Sequence, residues 1–176
     1  MSSIKIEIIT GYDERLIAQL VELQKKALPP HMQITEPATY YKEGLQDRNN
    51  INVIMRDRHK VIGYLLGIPQ SNVYEELRHW DPEMGDDPER LYLDMIQVLP
   101  EERRNKRGLA LIQTVCAEAE KRNLFKLSMH ARTTTGWSQY LQNLFADIRF
   151  LRQIENWYDF GEPCDYLEAT TSLDTV

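Results

Sequence analysis

The sequence predicts an α/β fold, on three observations. Short alternating or β-branched apolar stretches interleave with longer ones in which apolar residues recur every three to four positions. One stretch, Leu91 to Asn123, reads LYLDMIQVLPEERRNKRGLALIQTVCAEAEKRN; it passes from a strand through a cationic turn into a helix. The 176 residues are 42% hydrophobic and 27% charged, enough to bury a sizeable core without disulfide or metal staples. The expected domain spans residues 1–170, followed by a polar tail at 171–176 expected to fray.

Each element has its own signal. Ile4, Ile6 and Ile8 alternate with Lys5 and Glu7, a strand pattern that Gly11 ends. Asp13 is placed to cap a helix carrying Leu16, Ile17, Leu20, Val21, Leu23 and Ala27, which Pro29-Pro30 stops. His31 to Thr39 reads as a loop and Tyr40, Tyr41 and Leu45 as a shorter helix. Ile51–Arg56 and Val61–Ile68 form two strands around a charged hairpin. Pro69 to Arg90 is a long, acidic connection with a short helix over Val73–Trp80; it reads as a solvated loop or as a flap attracting a cation. Leu91–Leu99 is a strand stopped by Pro100, which cannot donate to a ladder. Phe125, Leu127, Met129 and Ala131 alternate with Lys126, Ser128, His130 and Arg132 as a half-buried strand. Trp137 to Phe150 carries helical spacing, and Glu155–Ala169 a closing hairpin.

Composition excludes several function classes. The formal net charge of −6 disfavours nucleic-acid binding. No apolar run approaches membrane-span length, and the N-terminus lacks the apolar stretch of a signal peptide. Cys116 and Cys164 give neither a disulfide framework nor metal-ligand spacing. A cytoplasmic, reduced protein without a metal follows.

Within this acidic chain the turn Arg103, Arg104, Lys106, Arg107 is an exception. Gly108 then opens a helix whose apolar face carries Ile112, Val115, Cys116 and Ala119. A basic loop emptying onto a helix N-terminus suits an anion, because free N–H groups and the positive end of the dipole converge there. The plainer reading is a solvated basic turn.

Val98-Leu99-Pro100, then Arg103 and Gly108, then Leu111-Ile112, Ala119 and Asn123, resemble the central motif of the GNAT superfamily. These are the acyl-CoA-dependent N-acetyltransferases. Asn156, Trp157, Tyr158, Gly161 and Glu162 resemble its closing hairpin. The resemblance implies a mixed, mostly antiparallel sheet of about seven strands flanked by helices. It implies acetyl-CoA as cofactor, held by Ile96, Gln97, Val98, Arg103, Arg104, Lys106, Arg107, Gly108 and Leu109. The expected reaction is direct transfer of acetyl to a primary amine, of a peptide or a small cationic molecule. The Val98 N–H is the implied oxyanion donor and Asp94 the implied base, with His130 as a substitute. The usual acid position holds Phe145, so Tyr158 or Tyr140 stands in. His31, Tyr40 and Tyr41 would line the acceptor wall. Lys106 occupies a usual glycine position. Either the backbone there stays in ordinary space, or its ammonium meets phosphate, or CoA binds weakly. The protein would act as a monomer or homodimer. The rival readings are a non-catalytic acyl-CoA sensor or protein-binding module, and a relative that has lost CoA and keeps the turn for another anion.

Overall fold

Besides three short 3-10 turns, seven strands and five α-helices follow one another among the described residues. They are β1 (Ile4–Ile9), α1 (Glu14–Ala27), α2 (Pro37–Gln46), β2 (Ile51–Asp57), β3 (Lys60–Pro69), α3 (Gln70–Trp80), β4 (Arg90–Val98), α4 (Arg107–Lys121), β5 (Lys126–Arg132), α5 (Trp137–Gln142), β6 (Arg149–Ile154) and β7 (Cys164–Thr170). The computed structural model describes residues 4–173. Its strands form a seven-stranded mixed sheet, ordered β1-β2-β3-β4-β5-β7-β6 and flanked by helices. The β4–β5 pair is parallel, and β1–β2, β2–β3, β5–β7 and β6–β7 are antiparallel. Contacts divide the chain into two compact units. The first holds residues 4–67 with Met95–Val115, and the second Ile68–Asp94 with residues 116–173.

In the first unit, the alternating apolar residues of β1 pair with β2 from Ile4↔Asp57 to Ile9↔Asn52. Asp13 accepts the Leu16 N–H at 2.7 Å and starts α1, so the orphan donors of the first turn are met by a side chain. Leu16, Ile17, Leu20 and Leu23 of α1 are buried, as are Val53, Ile54 and Met55 of β2, Leu65 and Leu66 of β3, and Leu111, Ile112 and Val115 of α4. Asn52 is a polar side chain sealed in this core, and it is paired. Asn52 accepts the Tyr64 hydroxyl at 2.7 Å and donates to the Gly44 carbonyl at 2.9 Å.

In the second unit, β5 has strand partners on both edges and buried residues on both faces. Ser128 is fully buried, and its hydroxyl donates to Gln70 at 2.6 Å. The half-buried strand expected here is therefore a covered one, and Phe125 lies outside it, 53% exposed. The connection after β3 is a helix from Gln70, three residues earlier than its spacing predicts, with Leu77 buried against Met84, Tyr92 and Trp157.

The expected helix over Trp137–Phe150 is a correction. It ends at Gln142, and Arg149 and Phe150 enter β6, where they pair with Glu168 and Leu167. Helical spacing loses here to ladder bonds that only the folded chain supplies. The strand leaves Phe150 and Leu151 exposed at 50% and 43%. The expected fraying from Thr170 is likewise replaced. Thr171 is buried, donating its N–H to the Phe125 carbonyl and its hydroxyl to Glu120. The rest of that tail, 174–176, lies outside the described residues.

Asn52→Ala strands the buried Tyr64 hydroxyl and should cost roughly 1–3 kcal/mol in urea unfolding. Tyr64→Phe added to that variant should cost little more, because the two share one bond.

Candidate functional site

The basic turn of the first unit has an unusual backbone. Arg104 and Lys106 both sit in the left-handed region, at φ 65° and 58°. Neither is glycine, and each such residue costs on the order of 1 kcal/mol. Of the alternatives for Lys106, ordinary backbone space is therefore not the one adopted. The strain aims the chain into α4, whose first rung runs from the Ala110 N–H to the Lys106 carbonyl at 3.0 Å. The N–H groups of Arg107, Gly108 and Leu109 precede that rung and have no place in the ladder. Arg104 and Lys106 are exposed beside them.

The four cations of the turn divide by task. Arg103 donates to the Val98 carbonyl at 3.2 Å and to the Ala27 carbonyl, the end of α1, at 2.6 Å. It acts as a clamp on the turn. Arg107 pairs with Glu102 at 3.2 Å. Arg104 and Lys106 carry the turn's outward positive charge.

The end of β4 presents backbone groups. The Leu99 N–H donates to the Ile62 carbonyl of β3 at 3.0 Å. Strand N–H groups alternate in direction, so those of Val98 and Ile96 point to the opposite edge. Arg103 meets the Val98 carbonyl on that edge, which leaves the Val98 N–H as its donor. The Gln97 side chain is buried and accepts the Tyr41 hydroxyl at 3.1 Å. Tyr41 is fully buried, so it is a core residue and not part of an acceptor wall. His31 is exposed and Tyr40 half-buried.

In the second unit, the β4–β5 ladder holds only Arg90, Leu91 and Tyr92 against Lys126, Leu127 and Ser128. Asp94 lies two residues past its end and is half-buried. Its carboxylate is one of the charges that bear on the Tyr158 phenol. Burial, the adjoining Glu76 carboxylate and Asp94 together push the Tyr158 phenol above its ordinary range. The Tyr158 hydroxyl donates to Glu76 of α3. Its backbone is left-handed, at φ 51°, and its ring stacks on Trp80 and Phe160, at 5.1 and 5.9 Å between centroids. Tyr140 stands apart on α5, stacked on Trp137, and Phe145 is a core residue at 2% exposure.

His130 does not reach solvent. Its Nε2–H donates to Asp81 at 3.1 Å, so Nδ1 accepts the Tyr92 hydroxyl at 3.0 Å. Trp157 stacks on the imidazole at 3.7 Å. Arg152 grips both Asp81 oxygens, its Nε donating to Oδ1 at 2.7 Å and its Nη2 to Oδ2 at 2.5 Å, and lies over the Tyr166 ring at 4.5 Å. Burial pushes Asp81 up, but hydrogen bonds from His130 and Arg152 outweigh it and hold the carboxyl below its ordinary value. Burial pushes His130 down, against the pull of Asp81. Histidine held neutral is positional and not basic. Glu76, Trp80, Asp81 and Arg152 were not singled out by sequence, because each sits in a charged or amphipathic stretch that reads as surface.

Cys116 and Cys164 are free and buried, and burial pushes both thiols to about 12. Neither is a nucleophile at neutral pH. Among the described residues no three His, Cys, Asp or Glu side chains gather as a metal site, and no helix is long and apolar enough to cross a membrane.

A family model described as acetyltransferase (GNAT) family matches residues 17–146. The chain belongs to this family. No curated protein matches it by sequence, and its likeness to solved family structures is one of fold. An aminoglycoside 6'-N-acetyltransferase complexed with coenzyme A superposes with a TM-score of 0.71 at 14% identity, over 95% of this chain and 97% of that one. The ribosomal-protein-S18-alanine N-acetyltransferase of Escherichia coli gives 0.67 at 13% identity, over 98% and 97%. Arabidopsis thaliana NAA60 in complex with acetyl-CoA gives 0.67 at 12% identity, over 96% and 98%.

Two outcomes follow for this GNAT chain. Lys106→Gly relieves the left-handed strain and should stabilise the fold by roughly 1 kcal/mol in denaturant titration. Native His130 stays neutral where an unfolded histidine, at its ordinary 6.5, takes a proton. Stability is therefore full above that pH and lost below it, by at most about 1.4 kcal/mol per pH unit. Melts at pH 7.5 and 5.5 should show the drop, and His130→Asn should flatten it.

Proposed function

We propose that the protein transfers an acetyl group from acetyl-CoA to a primary amine by direct attack. The observation that carries this reading is the turn from Arg104 to Leu109. Two non-glycine residues hold strained conformations there, and the result is a set of N–H groups ahead of a helix with two outward cations. Strain of this kind persists where function requires it, and the arrangement suits a pyrophosphate. Structural neighbours complexed with coenzyme A or acetyl-CoA support the choice of anion.

When bound, acetyl-CoA supplies an acetyl thioester, whose C–S bond breaks as the amine forms a C–N bond. Arg104, Lys106 and the N–H groups of Arg107, Gly108 and Leu109 hold its phosphates. Arg103 shapes that turn from behind. Ile96 and Val98 offer strand-edge backbone, and the Val98 N–H donates to the carbonyl oxygen as it gains charge. Asp94 takes the amine's proton. The leaving sulfur needs little help, because a free thiol has a pKa near about 8.5. Tyr158, with its proton directed at Glu76, orients the acceptor in this reading and donates nothing to sulfur. Two buried free thiols agree with action in the reducing cytoplasm, as a monomer or homodimer.

A second reading, acyl-CoA binding without turnover, is favoured by one observation: the buried Phe145 stands where the family usually has a tyrosine. One experiment separates the two. Calorimetric titration with acetyl-CoA should give one site at micromolar affinity, weakened about tenfold by Arg104→Ala. Transfer to a panel of amines should then appear, and Asp94→Asn should slow it at neutral pH. Binding without transfer to any amine supports the sensor, and no binding rejects both.

A further inference from the structure

Along α1, Arg15, Ala18, Gln19, Glu22 and Lys26 recur at spacings of three and four and so line one side of the helix. Across from them stand Lys60 and Val61, where β3 begins, and Leu99, just past the end of β4. Together they bound an open groove of about 380 Å³, the size of a small-molecule site. All of these residues belong to the first unit. The Leu99 N–H bonds to the Ile62 carbonyl of β3, so the groove lies on the β3 side of β4. The Val98 N–H faces the other way.

The groove joins an apolar wall to a polar end. Ala18, Leu23, Val61 and Leu99 form the wall. At the polar end, the Gln19 amide oxygen accepts the Val61 N–H at 3.0 Å and the Arg56 Nη1 at 3.4 Å. Two donors on one atom fix which end of the amide is oxygen. Its Nε2 is left without an acceptor among the described residues. Arg15, one turn earlier, is exposed and has no carboxylate partner among the described residues; the same is true of Lys26. Lys60 pairs with Glu101 at 3.5 Å, and Glu22 with Lys25 at 2.8 Å. The lining therefore carries three cations against one carboxylate, in a chain of net charge −6.

We propose that this groove binds a small carboxylic acid with an apolar body, its carboxylate held by the Arg15 guanidinium and the Gln19 amide and its hydrocarbon laid against Ala18, Leu23 and Val61. A guanidinium meets a carboxylate with two parallel N–H donors. A neutral molecule of the same shape leaves that charge unanswered, and an amine is repelled by the three cations. Each methylene removed from water adds to affinity, so a chain of about eight carbons is preferred to acetate. The proposal goes beyond the acetyltransferase reading, which uses no residue of this groove.

Calorimetric titration of the full chain with sodium octanoate, octanamide and sodium acetate tests the site. Octanoate should bind at one site, at least tenfold more tightly than either of the others. Arg15→Gln should bring octanoate within about twofold of octanamide. Arg15→Lys keeps the charge without the paired donors and should restore part of the difference. Ala18→Trp fills the groove from an exposed position and should abolish binding. Arg104→Ala removes a cation from the phosphate turn and should change octanoate binding by less than twofold. Urea unfolding of each variant checks that the chain is folded. Equal binding of octanoate and octanamide, unchanged binding in Arg15→Gln, or loss in Arg104→Ala instead overturns the proposal, as does binding at many weak sites. Acetyl-CoA titrated in the same series reports on the other reading separately. Octanoate bound as stated with no acetyl-CoA binding upholds the groove and counts against the acetyltransferase; the reverse result overturns the groove alone.

Discussion

The second unit depends on one buried carboxylate. Asp81 is 2% exposed at its side chain, a position where an unpaired charge costs several kcal/mol. It is tolerated because Arg152 and His130 supply three donors in fixed geometry. Those donors come from β6 and β5, so the ion that ends α3 also ties two strands to it. Removing one partner leaves a charge with nowhere to go. The network is therefore worth more for the arrangement it enforces than for the energy of any one bond. What it enforces is the wall of Trp80, Trp157 and Tyr158.

The first unit rests on a different constraint, a backbone held against its preference. Arg103 ties the turn to the ends of α1 and β4 with two charge-assisted bonds, each worth on the order of 1.5–3 kcal/mol. Left-handed Arg104 and Lys106 cost less than these bonds return. That comparison explains how a chain lacking the family's usual glycine keeps the glycine-like geometry. It also explains why the basic turn reads as redundant in sequence, although its arginines perform different tasks.

Most of the sheet was legible because its strands announce themselves by period and by Pro or Gly punctuation. The turn and the helix after it were legible because strand, stop and amphipathic face adjoin in sequence. The miss at Trp137–Phe150 has a physical cause. Tyr140, Leu141, Leu144, Phe145 and Ile148 fit one helical face, and nothing local says that Arg149 will find Glu168. The same holds for the buried network. Asp81, His130 and Arg152 are 49 to 71 residues apart in pairing, so each reads as a lone polar residue. Strand alternation placed His130 on a polar face; the Trp157 ring and Asp81, both distant in sequence, cover it. Asp94 and Tyr158 were singled out by resemblance, and only the fold shows that Tyr158 meets Glu76 and Trp80.

The boundary between the two units falls within β4, between Asp94 and Met95. Every residue assigned to the cofactor, from Ile96 to Leu109, lies on one side of it. Asp94, Glu76 and Tyr158 lie on the other. The contacts of α3 with Tyr158 are therefore internal to one unit, and the clamp at Arg103 is internal to the other. The part of this chain that departs most from a simple strand connection, α3, is also the part that carries Glu76 and Trp80 against Tyr158. Its acidity looks like solvation in the sequence; in the fold, one carboxylate, Asp81, is buried to hold the end of the helix, and another, Glu76, stays exposed and accepts a phenol.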